Sequence, residues 1–263
     1  MRPLVVIPTY NEIATLERAV HGALAAHDTL DVLVVDDGSP DGTGDLADRL
    51  AAETGRVSVL HRMAKSGLGS AYKSGFAWGR AQGYDVLCEM DADLSHNPAD
   101  LARLLSTLET ADLVIGSRYV PGGGVVDWPL HRRLLSRLGN RYVRLCTGMP
   151  VRDATAGFRA YRLAVVDAVN LDSLRAEGYA FQLEMALRTW RLGFAIREIP
   201  IVFVERSEGA SKISRSIVIE ALWRAVLWGL RGPRRAAPMH PASWTQAAPT
   251  ASEGDLEDPR QDA

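Results

Sequence analysis

Short apolar runs recur along the first half of the chain, each bounded by polar or turn residues. They are Leu4-Val5-Val6-Ile7, Val32-Leu33-Val34-Val35, Val57 to Leu60, Val86 to Met90 and Leu113-Val114-Ile115. Runs of this length without period-two alternation are the pattern of strands buried on both faces. Between them a helical period predicts helices. One starts at Asn11-Glu12 with Ile13, Leu16, Val20 and Leu24 on one face, and one follows Thr43 to about Glu53. A third runs from a glycine-containing segment at Ser66 through Gln82, and a fourth from Pro98 to Thr110 with Ser95 or Asn97 as its cap. Strand and helix alternating at short intervals predict an α/β fold, a mostly parallel sheet with helices on both faces.

The second half is less regular. Pro121-Gly122-Gly123-Gly124 reads as a loop, Leu130 to Cys146 as a basic helix, and Asp153 to Tyr161 as a segment ending in a short strand. Phe181 to Leu192 reads as a helix and Ala195 to Phe203 as extended chain broken at Pro200. An apolar helix, Ile213 to Leu230, follows a polar loop. The pattern divides the chain into 1–212, an amphipathic helix over 213–231, and a disordered tail over 232–263 rich in Pro, Ala, Ser and charge.

Three strands end in polar turns, Pro8-Thr9-Tyr10-Asn11-Glu12, Asp36-Asp37-Gly38-Ser39 and Asp91-Ala92-Asp93. In a parallel sheet these lie on one edge, where open α/β sheets bind ligands. Asp91 and Asp93 are two residues apart, so extended backbone would turn both carboxylates the same way. Such a pair repels unless a cation lies between, and oxygen-only ligation suits Mg²⁺ or Mn²⁺ better than Zn²⁺. The competing reading is an acidic turn that caps the next helix. Asp36-Asp37 carries the same two readings, a helix-capping turn or hydrogen-bond acceptors for a base or ribose. Arg118, just after the fifth run, is placed to meet an anionic ligand.

Composition narrows the classes. A net charge of −2 gives no overall pull toward nucleic acid. The two cysteines, Cys88 and Cys146, lack metal-ligand spacing and fit core packing in a reducing compartment. The chain enters its first strand almost at Met1, so no signal peptide is expected, and no apolar run of eighteen residues predicts a membrane span. Gly67-Leu68-Gly69 with Gly75 does not have dinucleotide-fingerprint spacing, so these glycines are expected to allow close helix packing or backbone approach to a ligand.

Taken together the motifs resemble family 2 glycosyltransferases of the GT-A, Rossmann-like fold, nearest to the polyprenol- or dolichol-phosphate mannose synthase group. The residues are Pro8-Thr9-Tyr10-Asn11-Glu12, Asp36 to Thr43, Lys65-Ser66-Gly67-Leu68-Gly69, Asp91 to His96, Gly116-Ser117-Arg118-Tyr119, Asp153 to Arg159, and Gly178 to Gln182, with Ser211-Lys212 after Arg206. The resemblance covers about residues 3 to 230. It implies inverting, metal-dependent transfer of mannose from GDP-mannose to a polyprenyl monophosphate. Pro8, Tyr10, Glu12, Asp36 and Asp37 would hold the nucleoside, and Lys65, Gly67 and Ala92 would line the donor site. Asp91 and Asp93 would hold the metal. Relatives often place Gln two positions after the second Asp as a further ligand; Ser95 stands there in this chain. Arg118, Arg132, Arg206 and Lys212, with Ser136 as a neutral donor, are the candidates to position the acceptor phosphate. Two alternatives are a polyprenyl-phosphate glucosyltransferase using UDP-glucose and a non-catalytic nucleotide-sugar-binding subunit of a membrane assembly. The implied location is the cytoplasmic face of a membrane, held peripherally or through an integral-membrane partner. Ile213 to Leu230, with Trp223, Trp228 and a basic flank, is expected either to lie on anionic lipid, to pack on the sheet, or to do both.

Overall fold

The computed structural model describes residues 1–174, 176, 178–205, 223, 225–230 and 235–239. The predicted runs are strands β1 (Pro3–Thr9), β2 (Asp31–Asp36), β3 (Val57–His61), β4 (Val86–Glu89) and β5 (Leu113–Ser117). With β7 (Arg159–Arg162) and β8 (Ile196–Pro200) they form a seven-stranded sheet in the order β3-β2-β1-β4-β7-β5-β8. All neighbouring pairs are parallel except those of β7, which runs antiparallel between β4 and β5. Between β5 and β7 come β6 (Gly124–Val126) and helix α5 (Leu130–Thr147).

Alternate residues of each strand face opposite layers. Leu4 and Val6 enter a core beneath α3 (Leu68–Ala81) and α7 (Gly178–Arg191). Val5 and Ile7 enter a second core beneath α1 (Leu16–Ala26), α2 (Thr43–Thr54) and α4 (Asp100–Thr107). Both faces are therefore apolar, which is why the strands read as unbroken runs. Helix α6 (Leu163–Val169), which the sequence analysis does not predict, caps the β7 end of the first core through Val165, Val166 and Val169.

The third helix shows why its glycines are there. A methyl group at Gly75 would lie 2.5 Å from Val6 Cγ1, and one at Gly79 2.6 Å from Leu87 Cδ2. The bare faces let α3 settle directly on β1 and β4. Alanine at Gly75 gains about 1 kcal/mol of helix propensity, but overpacking costs about 1–3 kcal/mol. Packing dominates at this separation, so Gly75→Ala is expected to lower stability by about 1–2 kcal/mol in urea unfolding. A stabilised variant would show that α3 has room to move outward.

Three expectations need correction. The first helix starts at Leu16, because Asn11 sits at φ 61° and the Glu12 carbonyl accepts the Thr15 and Leu16 amides. Ile13 is consequently 45% exposed and takes no part in the buried face. The segment at Pro121–Gly124 is more than a loop. Gly124–Val126 pairs in parallel with β9 (Val202–Val204) as a separate two-stranded sheet. The extended segment after Ala195 thus contributes β8 to one sheet and β9 to the other.

Of the expected C-terminal helix, 213–222, 224 and 231 lie outside the described residues. Residues 225–230 are helical, with Ala225 fully buried and Trp228 packed on the first core. Most of the tail is likewise outside them. Residues 235–239 run along the turn after α7, where Ala236 N–H donates to Arg191 O and Met239 N–H to Gly193 O.

Candidate active site

The chain leaves β1 toward β2 and β3 on one side and returns to β4 on the other, so a crevice opens at the carboxyl ends of β1 and β4. The turns after β1 and β2 are stitched together there. Asn11 N–H donates to Ser39 Oγ (3.1 Å), Glu12 N–H to Thr43 Oγ1 (3.0 Å), and Ile13 N–H to Asp41 Oδ2 (3.3 Å). Asp36, 3% exposed, accepts from Thr9 Oγ1, Ser39 N–H and Ser39 Oγ. Its carboxylate shapes the turn, while the N-cap of α2, Gly42, has no side-chain cap bond. Asp37 is also buried and pairs with Arg62 at 3.1 Å. Burial raises its pKa, and the nearby Arg62 opposes that rise. Arg62 also donates to Ser70 Oγ (2.8 Å), so it ties the β2 turn to the start of α3. Lys65, exposed, lies over the Tyr10 ring at 4.0 Å and joins the first and third motifs. Gly67 begins α3 at φ 96°, ψ 156°, a conformation open essentially to glycine alone. Pro8 and Glu12 are half-buried on the same rim.

Strand β4 stops at Glu89, and a turn occupies 92–94. Asp91 and Asp93 therefore do not alternate on extended backbone, and the same-facing argument does not apply to them. Leu94 sits at φ 61°, unusual for a branched side chain, which turns the backbone so that Ser95 N–H donates to Asp93 Oδ1 (3.0 Å). Tyr72 of α3 reaches Asp91 Oδ1 at 3.5 Å. Asp91 N–H lies 3.5 Å from Nδ1 of His96, which is stacked on Phe158 at 5.0 Å between centroids. The Ala92 side chain is buried in the second core.

Ser95 is 1% exposed, and its hydroxyl is buried without a hydrogen-bond partner. Among the described residues no group of three or more His, Cys, Asp or Glu forms a complete metal cage. The donors at this turn are two carboxylates and a hydroxyl. That set fits a hard cation whose shell is finished by water and substrate phosphate, the usual habit of Mg²⁺. Directly behind the turn, Glu89 is fully buried, and burial pushes its carboxyl up to about 7 against the pull of Arg159. Arg159, its cross-strand partner in register, is also fully buried and donates to the carbonyls of Ala154, Ala156 and Gln182.

Arg118 is placed differently from the sequence expectation. It is 5% exposed and grips Asp153 with two side-chain bonds, Nε to Oδ2 (2.7 Å) and Nη2 to Oδ1 (2.6 Å), with a third to Thr155 Oγ1. Asp153 is itself braced, because Glu198 of β8 accepts the Arg152 and Asp153 amides. Burial would raise the Asp153 carboxyl, but the Arg118 guanidinium holds it below the usual carboxylate range. Arg132 lies over the Trp128 indole at 4.1 Å and is ion-paired with Glu205. Ser136 accepts from the Tyr119 hydroxyl at 2.6 Å. Arg206 and Lys212 lie outside the described residues. Tyr72, Arg62 and Glu205 were not selected from sequence. Tyr72 shares the buried face of α3 with Phe76, so helical spacing alone does not set it apart from a core aromatic, and nothing local marks the other two.

A mostly parallel sheet with these turns at the ends of β1, β2 and β4 is the frame of a GT-A-type glycosyltransferase. The sequence profile of Glycosyl transferase family 2 matches residues 4–169, and the chain belongs to that family. It is similar to an undecaprenyl-phosphate mannosyltransferase of Micrococcus luteus, 54% identical over 88% of this chain and 95% of that one. It is also similar to a polyprenol monophosphomannose synthase of Mycolicibacterium smegmatis, 50% identical over 88% of each chain. Among solved structures, the fold matches glucosyl-3-phosphoglycerate synthase from Mycobacterium tuberculosis in complex with Mn²⁺, UDP and glucosyl-3-phosphoglycerate. The TM-score is 0.56 at 22% identity, covering 94% of this chain and 81% of that one. It also matches a mannosyltransferase from Pyrobaculum calidifontis in complex with GDP-Man and Mn²⁺, with a TM-score of 0.54 at 17% identity over 88% and 70%.

Proposed function

We propose that this glycosyltransferase moves mannose from GDP-mannose to a polyprenyl monophosphate, with inversion at the anomeric carbon, at the cytoplasmic face of a membrane. What carries the reading is the identity of 54% and 50% to two relatives of that naming, across nearly the whole of all three chains. The site residues suit the chemistry. Tyr10, Glu12 and the stitched turns at Asp36 and Asp37 form a fixed wall for the nucleoside. Lys65, poised over Tyr10, supplies positive charge toward the diphosphate. Asp91 and Asp93, with Ser95, would hold Mg²⁺ or Mn²⁺, which when bound supplies Lewis-acid neutralisation of the leaving diphosphate.

The nucleophile is a phosphate monoester oxygen, whose second pKa is about 6. It is already ionised near neutral pH, so the chain needs no general base and has only to position the acceptor. Arg206 and Lys212, in a segment rich in small residues, are proposed for that role. Arg132 is held by Glu205 and Trp128, so it would reach a phosphate only by exchanging an existing partner. Arg118 is proposed as a positioning residue that fixes the wall around Thr155.

The test is incubation of the purified protein with labelled GDP-mannose or UDP-glucose, polyprenyl phosphate in detergent, and either Mn²⁺ or EDTA. A mannolipid formed only with GDP-mannose, lost in EDTA and restored by Mn²⁺ or Mg²⁺, is expected. A glucolipid instead would assign the donor to the other sugar nucleotide. Full activity in EDTA would remove the metal from the proposal.

A further inference from the structure

The cations around helix α5 are unequally matched. Arg132 is paired with Glu205 and lies over Trp128. Arg137, Arg141 and Arg144 of the same helix, with Arg152 from the segment that leads into β7, are all exposed and line an open cleft of about 710 Å³. Among the described residues no carboxylate pairs with any of these four. The three helical arginines are spaced i, i+4 and i+7, so they form one row with steps of about 4.5–6 Å along the axis. Four clustered like charges without a counter-charge favour an anion. A single small anion meets one or two of them. The whole row together with Arg152 suits a chain of acids.

The chain itself carries one. After Ser252 the sequence runs Glu253-Gly254-Asp255-Leu256-Glu257-Asp258-Pro259-Arg260-Gln261-Asp262, five acids against one arginine. From His240 to Ser252 there is no Asp, Glu, Lys or Arg, so the acids stand apart as a block. Glu253, Asp255 and Glu257 alternate. On extended backbone they would face one way at intervals of about 6.6–6.8 Å, close to the arginine steps. The described part of the tail passes beside the cleft. Ala236 and Met239 N–H donate to the carbonyls of Arg191 and Gly193, and Arg235 lies 5.5 Å from the centre of the Trp190 ring. A methyl group at Gly148, in the cleft wall, would lie 3.8 Å from Cη2 of the same indole. Residues 240–252 separate the last described position from the acids. Their reach, up to about 45 Å, spans the distance to the cleft with length to spare.

We infer that the acidic segment Glu253–Asp258 docks in cis into the arginine cleft, which is thus an anion site held by the chain's own tail. While the segment is docked, the four guanidiniums are withheld from outside anions. A short tether sets an effective concentration of about 1 mM, so a segment with an intrinsic affinity of about 0.1 mM is engaged about nine-tenths of the time. The pairs are exposed, and the contact weakens as salt rises. The inference does not rest on the proposed function, and its test reads occupancy of the cleft rather than sugar transfer.

Full-length protein is treated with phenylglyoxal at low salt, and modification of each arginine is followed by mass spectrometry. The comparison is the full-length variant Glu253→Gln/Asp255→Asn/Glu257→Gln/Asp258→Asn, which alters only tail residues and should melt with wild type. Arg137, Arg141, Arg144 and Arg152 are expected to react about tenfold more slowly in wild type than in the variant, the ratio that nine-tenths engagement gives. The difference should shrink as salt rises. Arg133, which does not line the cleft, and the exposed Arg18 of α1 should react alike in both proteins. A synthetic peptide of residues 250–263, added to the variant at about 1 mM, should restore the protection. Equal reactivity of the cleft arginines in the two proteins would overturn the inference, as would failure of the peptide to protect them. Protection shared equally by Arg133 and Arg18 would also overturn it, as a general effect of tail charge. Protection that grows with protein concentration would replace the contact in cis by one with the tail of a second copy.

Discussion

Asp93→Asn is expected to lower glycosyl transfer about 10³-fold while moving the melting temperature by no more than a few degrees. The substitution is chosen for what it keeps. Asp93 Oδ1 accepts the Ser95 amide, and asparagine retains that acceptor, so the turn through Leu94 survives. What disappears is one negative charge at the end of β4. Departure of a nucleoside diphosphate builds charge on its oxygens, and loss of preorganised stabilisation at such a point typically costs about 3–4 kcal/mol. At about 1.4 kcal/mol per factor of ten this is two to three decades. Alanine would be a poorer probe, because it also removes the turn bond and mixes about 1 kcal/mol of stability into the result. Asp91→Asn keeps the contact with the Tyr72 hydroxyl by the same logic and is expected to behave alike. Single-turnover transfer, titration calorimetry of GDP-mannose with and without Mn²⁺, and thermal unfolding separate the effects. The expected pattern is a large loss in the chemical step, weaker donor binding only when the cation is present, and an unchanged melt. A variant within tenfold of wild type in turnover would show that this carboxylate has no part in the reaction.

The sheet was legible because both its faces are apolar. Val5 and Val6 enter different cores, yet both are fully buried, so β1 announces itself as a run whichever face is considered. Position on the sheet edge was legible too, since strand ends followed by Asp, Gly and Pro can only be turns. What those acids do was not. Asp36 and Asp37 are adjacent in sequence and alike in composition, but one is bound within its own turn and the other faces an arginine 25 positions further on. Arg118 looked like a cation awaiting an anion because its partner Asp153 lies 35 residues downstream. Pairings of that range depend on strand order, and the insertion of β7 antiparallel between β4 and β5 has no local signature. Helix α5 shows the same limit from the other side. Its period gave the boundaries to within a residue, and its arginines were plain. A leucine at helical spacing reads as core until the fold shows which sector meets the protein, and here it is the sector of Val143 that does.

The Arg118–Asp153 pair is where the second large effect is expected, on stability and its pH dependence. Both side chains are nearly inaccessible, at 6% and 0%, and Asp153 accepts the Arg118 backbone amide as well. Removing one partner of a buried, hydrogen-bonded pair strands the other charge and typically costs about 3–5 kcal/mol. Arg118→Met is therefore expected to melt roughly 10 °C lower than wild type at neutral pH. Asp153→Asn should lose nearly as much, because a neutral amide cannot answer the guanidinium fork. The double variant Arg118→Met/Asp153→Leu should recover part of the loss. It leaves no buried charge, though the Arg118 amide loses its acceptor. The pH profile gives an independent reading. Asp153 is held below the usual carboxylate range in the folded protein, so its contribution is complete above the unfolded pKa of about 3.9 and disappears as pH falls through the lower, folded value. The gap between wild type and Asp153→Asn should accordingly be constant from about pH 5 upward and narrow on acidification. Urea unfolding across pH 3 to 7 measures it. A gap that stays constant down to the lowest pH, or a single variant within about 1 kcal/mol of wild type, would show that this pair does not hold the wall between β5 and the segment that leads into β7.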